Sequence, residues 1–323
     1  MPAITSGKIL VTGANGYIAL WLVRKLLDQG YAVRGTVRSE GKARHLRETF
    51  RSHNRLETIV IEDITKEGAF DEAVNGVDAI AHLASPVVLG VDNPEELIAP
   101  AVRGTMRVFE SALAYGTSVQ RIVLTSSCAA IREFRDLPRT FTEEDWNDAS
   151  LAEVRARGPA ASITDKYCAS KVLAERAAWE FVEKNRREGK IGWDLVVICP
   201  SMCWVDVRDV AEAHVLAFQK KEAGEERIIA SEGPWRWQDF GESTFRTPAI
   251  CDELMEMYVS EVKAAHEADA CLPPGDATYD PTVAGHSFLF DAAKSMNILE
   301  LKYHTKQEST DAMIRGFKAH GLL

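Results

Sequence analysis

No apolar run in this chain approaches the length of a membrane span, so no segment reads as a transmembrane helix. Positive charge is also in short supply. Lysine and arginine number 38 against 48 aspartates and glutamates, a formal net charge of −10. A nucleic-acid partner requires a basic face, and this balance argues against one. Cys128, Cys168, Cys199, Cys203, Cys251 and Cys271 form neither a paired metal-ligand spacing nor a dense framework. They are expected to be the reduced thiols of a cytoplasmic enzyme, and no metal site is expected. Internal repeats and low-complexity tracts are lacking too. Met1 to Lys8 lead straight into the first strand, so no signal peptide is expected. The charge run Glu183 to Lys190 mixes both signs, as a solvated helix end does.

What is present is a regular alternation. At 323 residues, 46% of them hydrophobic, the chain can hold roughly two domains or one large α/β unit. Branched apolar stretches read as strands at Ile9–Thr12, Ala32–Val37, Thr58–Ile61, Ala79–Leu83, Ile122–Thr125, Leu195–Ile198 and Arg227–Ala230. Amphipathic patterns place helices at Tyr17–Gln29, Pro100–Tyr115, Tyr167–Arg187, Val207–Gln219 and Ser309–His320. Strands alternating with helices predict an α/β fold, a doubly wound parallel sheet covered on both faces. Residues 1–231 are expected to form a dinucleotide-binding domain. Residues 232–323 would add a smaller, interleaved substrate lobe with a closing helix, and Leu272 to Asp276 read as a loop within it.

Three stretches carry chemistry. Tyr167 and Lys171 lie four apart on a predicted helix and so share one face. A free tyrosine titrates near pH 10, too high for ready proton exchange at neutral pH, and a neighbouring ammonium favours the phenolate. Such a pair can exchange a proton with a carbonyl or an alcohol. Near the N-terminus the first strand runs into Gly13-Ala14-Asn15-Gly16 and then a helix from Tyr17. This order describes a phosphate cradle, with glycines permitting close approach to the positive end of a helix. The small residues, Gly13, Gly16 and Ala19, depart from the Gly-x-Gly-x-x-Gly spacing. Lastly, Arg121 to Thr125 read as a strand ending in the hydroxyls of Ser126 and Ser127, and open α/β sheets place ligands at the carboxyl ends of strands.

The chain resembles the extended short-chain dehydrogenase/reductase superfamily, in its dihydroflavonol-reductase-like branch, and is similar to fungal NADPH-dependent aldehyde and ketone reductases of the methylglyoxal type. The likeness is carried by Val11 to Ala19, which includes Asn15, Tyr17 and Ile18; by Leu83 to Pro86; by Leu124 to Ser127; by Tyr167 to Lys171 with Ala174-Glu175 and Ala177 to Phe181; and by Val205 to Ala211. It covers most of residues 5–230 and returns only at Phe290 to Ser295 and the closing helix. The resemblance implies that Ser127 hydrogen-bonds a substrate carbonyl, that Tyr167 supplies the proton, and that Lys171 holds the nicotinamide ribose and depresses the tyrosine pKa. It further implies that Asp63 and Ile64 border the adenine, that Ala84 and Ser85 line the groove, and that Pro200 belongs to the cofactor site.

The residues themselves bear on which dinucleotide binds. An NAD site of this topology carries an acid after the second strand; here stand Arg38 and, four residues on, Lys42. A guanidinium can hold a 2′-phosphate with two hydrogen bonds, so NADPH is the expected cofactor. A small-molecule carbonyl is the expected partner, and a monomer or homodimer the expected state. His82, His214 and His286 are isolated and read as structural.

The chain departs from the resemblance after Pro200. Relatives carry a long pocket-shaping segment there, whereas Ser201, Met202 and Cys203 lead directly to Trp204 and the Val205 to Asp209 stretch. Met202, Cys203 and Trp204 are candidates either for the pocket wall or for core packing. A second departure is Glu300, where relatives often have glycine after Leu299, and one disturbed turn is expected. Two other readings stand beside the reductase. One is a dinucleotide-binding sensor without turnover, favoured by the missing segment. The other is a nucleotide-sugar epimerase or dehydratase, disfavoured by Arg38 and by Cys128 to Arg132 after the serine.

Overall fold

Leu10 and its neighbours Ile9 and Val11 face opposite sides of a sheet, and all three are fully buried. A strand apolar on both faces needs cover on both, the condition of a parallel sheet between helical layers. The computed structural model describes residues 3–85, 92–133, 139–201, 203–234 and 288–319, and this sheet is its centre. Its strands are β1 (Lys8–Thr12), β2 (Ala32–Val37), β3 (Leu56–Val60), β4 (Ala79–His82), β5 (Arg121–Thr125), β7 (Asp194–Pro200) and β8 (Arg227–Ala230). They lie in the order β3-β2-β1-β4-β5-β7-β8, and every pairing is parallel. A second, two-stranded sheet pairs β6 (Arg139–Phe141) with β9 (Phe288–Phe290).

The helices are α1 (Tyr17–Asp28), α2 (Glu40–Thr49), α3 (Asp71–Val74), α4 (Glu95–Tyr115), α5 (Asp148–Arg157), α6 (Ile163–Arg187), α7 (Val207–Gln219), α8 (Ala293–Asn297) and α9 (Lys306–Ala319). On one face Leu22 and Leu26 of α1 and Val215 and Phe218 of α7 pack with Ile9, Val11 and Val33. On the other, Val108 and Phe109 of α4 and Ala178 and Val182 of α6 pack with Leu10, Ile80, Ile122 and Leu195. None of the described helices is long and apolar enough to cross a membrane.

The seven expected strands are all present, each within two residues of its expected ends, and α7 has the expected bounds. Three helix starts differ. α6 begins a turn early, at Ile163, because the Ser162 hydroxyl oxygen accepts from the Asp165 amide at 3.0 Å and caps it. α4 begins at Glu95 and runs through Pro100, which was expected to open it; Glu95 and Glu96 suit the positive end of the helix dipole. α9 starts at Lys306 behind a reciprocal cap. The Thr305 amide donates to Glu308 Oε2 at 2.8 Å and the Glu308 amide to Thr305 Oγ1 at 3.2 Å. Glu300 holds the left-handed φ of 57° that glycine would take without strain, tethered by an ion pair to Lys220. The expected substrate lobe, the loop at Leu272 to Asp276, and Met202, His286, Cys251 and Cys271 lie outside the described residues, apart from β9, α8 and α9. Cys128, Cys168, Cys199 and Cys203 are unpaired thiols.

β5 and β7 are locked at their amino ends by a buried pair. Arg121 grips Asp194 with two bonds of 2.7 Å and donates to the Ala217 and Lys220 carbonyls of the α7 end. Removing one partner of such a pair strands a charge in the core. Asp194→Ala should therefore lower unfolding stability by about 3–5 kcal/mol in urea denaturation. A loss under about 1 kcal/mol, the range of a surface ion pair, would contradict this account.

Candidate active site

α6 delivers Tyr167, Lys171 and Glu175 to one face, each a turn beyond the last. β5 delivers Ser126 and Ser127 at its carboxyl end. Ser127 is buried and caps a short 3₁₀ turn, Cys128–Ala130, by accepting from the Ala129 amide at 3.1 Å. The Ser127 side chain lies close enough to the Tyr167 phenol to pull its pKa down. Helix and strand thus bring together the serine and tyrosine that lie far apart in the chain. Lys171 donates to Ser85 Oγ at 3.4 Å, and its ammonium lies 5.8 Å from the centre of the Tyr167 ring.

The electrostatics differ from expectation in one respect. Tyr167 is not depressed by Lys171: burial raises the phenol above its ordinary value, and the Ser127 side chain works the other way. Burial also lowers Lys171, against the pull of Glu175 and Cys199. The lysine is turned toward Ser85, and desolvation of the phenol outweighs its field.

The cradle forms where β1 and β4 part company in connection, with β2 on one side and β4 on the other. Gly13 has φ 64°, and a side chain there would stand 3.1 Å from the Ala84 Cα. The Gly16 amide donates back to the Gly13 carbonyl at 2.8 Å. Gly16 caps α1 without a side-chain bond and no acid occupies the first turn, so the first-turn amides are left for an anion. Asn15 and Ile18 are half-buried beside this turn and Tyr17 is exposed at its mouth. Arg38 and Lys42 are exposed after β2, and no ion pair or hydrogen bond holds either among the described residues. Asp63 Oδ1 accepts from the Thr65 amide and hydroxyl, which lower its pKa, and Ile64 packs on the core after β3. The Ala84 amide donates to Thr12 Oγ1 at 3.0 Å, and Pro200 ends β7. Every expected site residue sits at or just beyond the carboxyl edge of the sheet or on the adjoining turns of α1, α2 and α6. A dinucleotide with a 2′-phosphate fits this donor set, since the cradle leaves room for a pyrophosphate and the cations face no acid.

After Pro200 the chain turns at once. Cys203 donates its amide to Ser201 Oγ at 2.8 Å, and Trp204 makes an antiparallel bridge with Gly233, exchanging bonds of 3.0 and 2.9 Å with Gly233 and Glu232. Asp206 then caps α7. The short connection is closed by its own hydrogen bonds.

Residues 9–193 match the NAD dependent epimerase/dehydratase family. The chain belongs to that family. Among its relatives, the NADPH-dependent methylglyoxal reductase GRE2 of Saccharomyces cerevisiae is 35% identical over 277 positions, 72% of this chain and 80% of that protein. The ketoreductase azaE of Aspergillus niger is 30% identical, over 92% of this chain and 93% of its own length. Among solved structures, yeast methylglyoxal/isovaleraldehyde reductase Gre2 complexed with NADPH superposes with a TM-score of 0.80 at 28% identity, covering 98% of this chain and all of that one. The 277 positions aligned with the Saccharomyces reductase outnumber the residues this chain contributes to them, so that epimerase/dehydratase relative carries stretches with no counterpart here.

Some site residues were not anticipated. Glu175, fully buried, accepts from Arg227 Nε at 2.6 Å and from the Ser126 hydroxyl at 2.6 Å. It ties the serine strand to α6 and β8. Its place four residues after Lys171 was legible, but its partner Arg227 could come only from the sheet order. His82 and His214 are buried, with pKa values pushed down by burial to about 3 and about 4.

Proposed function

We propose that this chain reduces an aldehyde or ketone to an alcohol with NADPH, through Ser127, Tyr167 and Lys171. The observation that carries this reading is the meeting of those three side chains at the sheet edge beside the Gly13–Gly16 cradle. When bound, NADPH supplies the hydride. The turn and the first amides of α1 hold the pyrophosphate, Arg38 and Lys42 the 2′-phosphate, and Asp63 and Ile64 border the adenine. Ala84, Ser85 and Pro200 line the groove, and Lys171 holds the ribose. Ser127 donates a hydrogen bond to the substrate carbonyl oxygen. Tyr167 gives that oxygen its proton as the alcohol forms. A phenol raised by burial is fully protonated at neutral pH, which suits a donor. The Lys171 charge then favours the phenolate left behind.

The relatives point the same way, being named methylglyoxal reductases and a ketoreductase. The short connection between Pro200 and α7 favours small, activated carbonyls. Bulky ketones depend on remote contacts for positioning, and a connection this short has few residues to supply them.

Two measurements test this reading. NADPH consumption should be readily seen with methylglyoxal and other small aldehydes and be weak with bulky ketones. Tyr167→Phe should lower kcat/KM by roughly 10²–10⁴-fold with NADPH binding nearly unchanged. Near-parent turnover by that variant would end the assignment. In a fluorescence titration, Arg38→Asp should weaken NADPH by roughly tenfold to a hundredfold, the worth of a lost charged hydrogen bond, and narrow the gap to NADH. Equal affinity of the parent for both cofactors would refute the role of Arg38.

A further inference from the structure

Beside Lys171 lies a cavity of about 20 Å³, whose polar lining is His82, Ser85, Thr105, Thr125, Ser126, Lys171 and Glu175. One water needs about 10–15 Å³ of such space. The hydrogens around it can be assigned one by one. Thr12 Oγ1 accepts from the amides of Leu83 and Ala84, both at 3.0 Å, which uses both lone pairs. Its own hydrogen must go to His82 Nδ1, 2.9 Å away. His82 is buried and neutral, so its ring proton is on Nε2. That Nε2–H is buried and has no acceptor among the described residues.

The opposite wall has the reverse imbalance. His214 Nδ1 donates to the Val210 carbonyl at 2.7 Å, which leaves Nε2 as an acceptor, so Thr125 must donate its hydroxyl to it at 2.7 Å. Ser126 has given its hydrogen to Glu175. Both hydroxyl oxygens therefore present lone pairs to the cavity. Among the described residues, Lys171, with three N–H groups, makes only the long contact to Ser85. Two donors without good acceptors face two acceptors without donors. A single water accepts two hydrogen bonds and donates two.

We infer that this cavity holds a resident water that accepts from His82 Nε2 and Lys171 Nζ and donates to Thr125 and Ser126, and that His82 is a positioning residue for Lys171. The water gives the buried ammonium an acceptor on the side away from Tyr167 and so helps to keep it charged and in place. This consequence rests on the roles of Tyr167 and Lys171 proposed above; the water itself does not. The titratable groups that face Lys171 are Tyr167 and Glu175 on α6, His82 on β4 and Cys199 on β7, with the uncharged Ser85 after β4 and Thr105 on α4 beside them.

Three measurements decide it. In a high-resolution crystal structure of the NADPH complex, density should lie within about 3.2 Å of both His82 Nε2 and Lys171 Nζ; an empty cavity overturns the inference. In nitrogen-15 histidine spectra of the parent protein, His82 should carry its proton on Nε2; a proton on Nδ1 overturns it equally. The third is the pH profile of kcat/KM, whose alkaline limb belongs to the Tyr167–Lys171 pair. Without the water the ammonium is harder to keep, so in His82→Leu the limb should move down by about one pH unit, the worth of one hydrogen bond to a charge. His82→Gln, which keeps an N–H near the Nε2 position, should stay near the parent. A purely structural histidine would lower the stability of both variants and leave both limbs unmoved, which would refute the positioning role. Should His82→Leu fail to fold, the crystal structure and the spectra decide on the parent alone. A parent that turned over no carbonyl would instead fail the reductase reading and leave the water and tautomer results to stand.

Discussion

All seven strands of the main sheet run the same way, so each delivers the residue after its last one to a single edge. Gly13 after β1, Arg38 after β2, Asp63 beyond β3, Ala84 and Ser85 after β4, Ser127 after β5 and Pro200 at the end of β7 lie along one edge for this reason. Parallel strands cannot be joined by tight turns, so helices must cross over between them. Those crossovers place the amino end of α1 at the same edge and lay α6 beside it. One geometric rule thus brings the Gly13–Gly16 turn, the cations Arg38 and Lys42, and the Ser127, Tyr167 and Lys171 side chains to one edge from segments scattered over most of the chain.

The rule places the backbone, and buried charge fixes the side chains. Glu175 binds Arg227 of β8 and Ser126 of β5, so the helix that carries Tyr167 and Lys171 is pinned to the strand that carries Ser127. Arg227 also donates to the carbonyls of Glu143 and Asp145 and stacks over Trp146. A charge so enclosed tolerates little movement, because any displacement leaves it unpaired in a medium of low dielectric. The approach of Tyr167 to Ser127 is held by this longer-range lock. His82 and Thr12 continue the network to β1 and join the lysine end of the site to the floor of the cradle.

Much of this was legible before any coordinates. Apolar runs marked all seven strands, most plainly the central ones, because a strand buried on both faces has little choice of residue. The Tyr167–Lys171 spacing, the glycines after β1 and the cations after β2 each implied their chemistry locally. Helix starts were less legible: the Thr305-x-x-Glu308 cap was present in the sequence but lies before the apolar pattern begins. α2 and α5 escaped notice because so few of their residues are buried, Ala43 and Leu46 in one and Ser150 and Leu151 in the other. The direction of the Tyr167 shift was not legible, since spacing reveals a neighbouring charge but not how much water the fold removes. Arg227 and Glu175 lie far apart in the chain, and only the sheet order makes them partners.

The central claim is that this edge carries direct hydride transfer completed by a proton from Tyr167. The most direct measurement is a single turnover of methylglyoxal with NADPH carrying deuterium at both C4 positions, followed by analysis of the product alcohol. The account predicts one deuterium on the former carbonyl carbon in the parent protein, and the same transfer slowed by roughly 10²–10⁴-fold in Tyr167→Phe that has bound the same cofactor. Product without deuterium at that carbon, or transfer at the parent's rate by the phenylalanine variant, would contradict it.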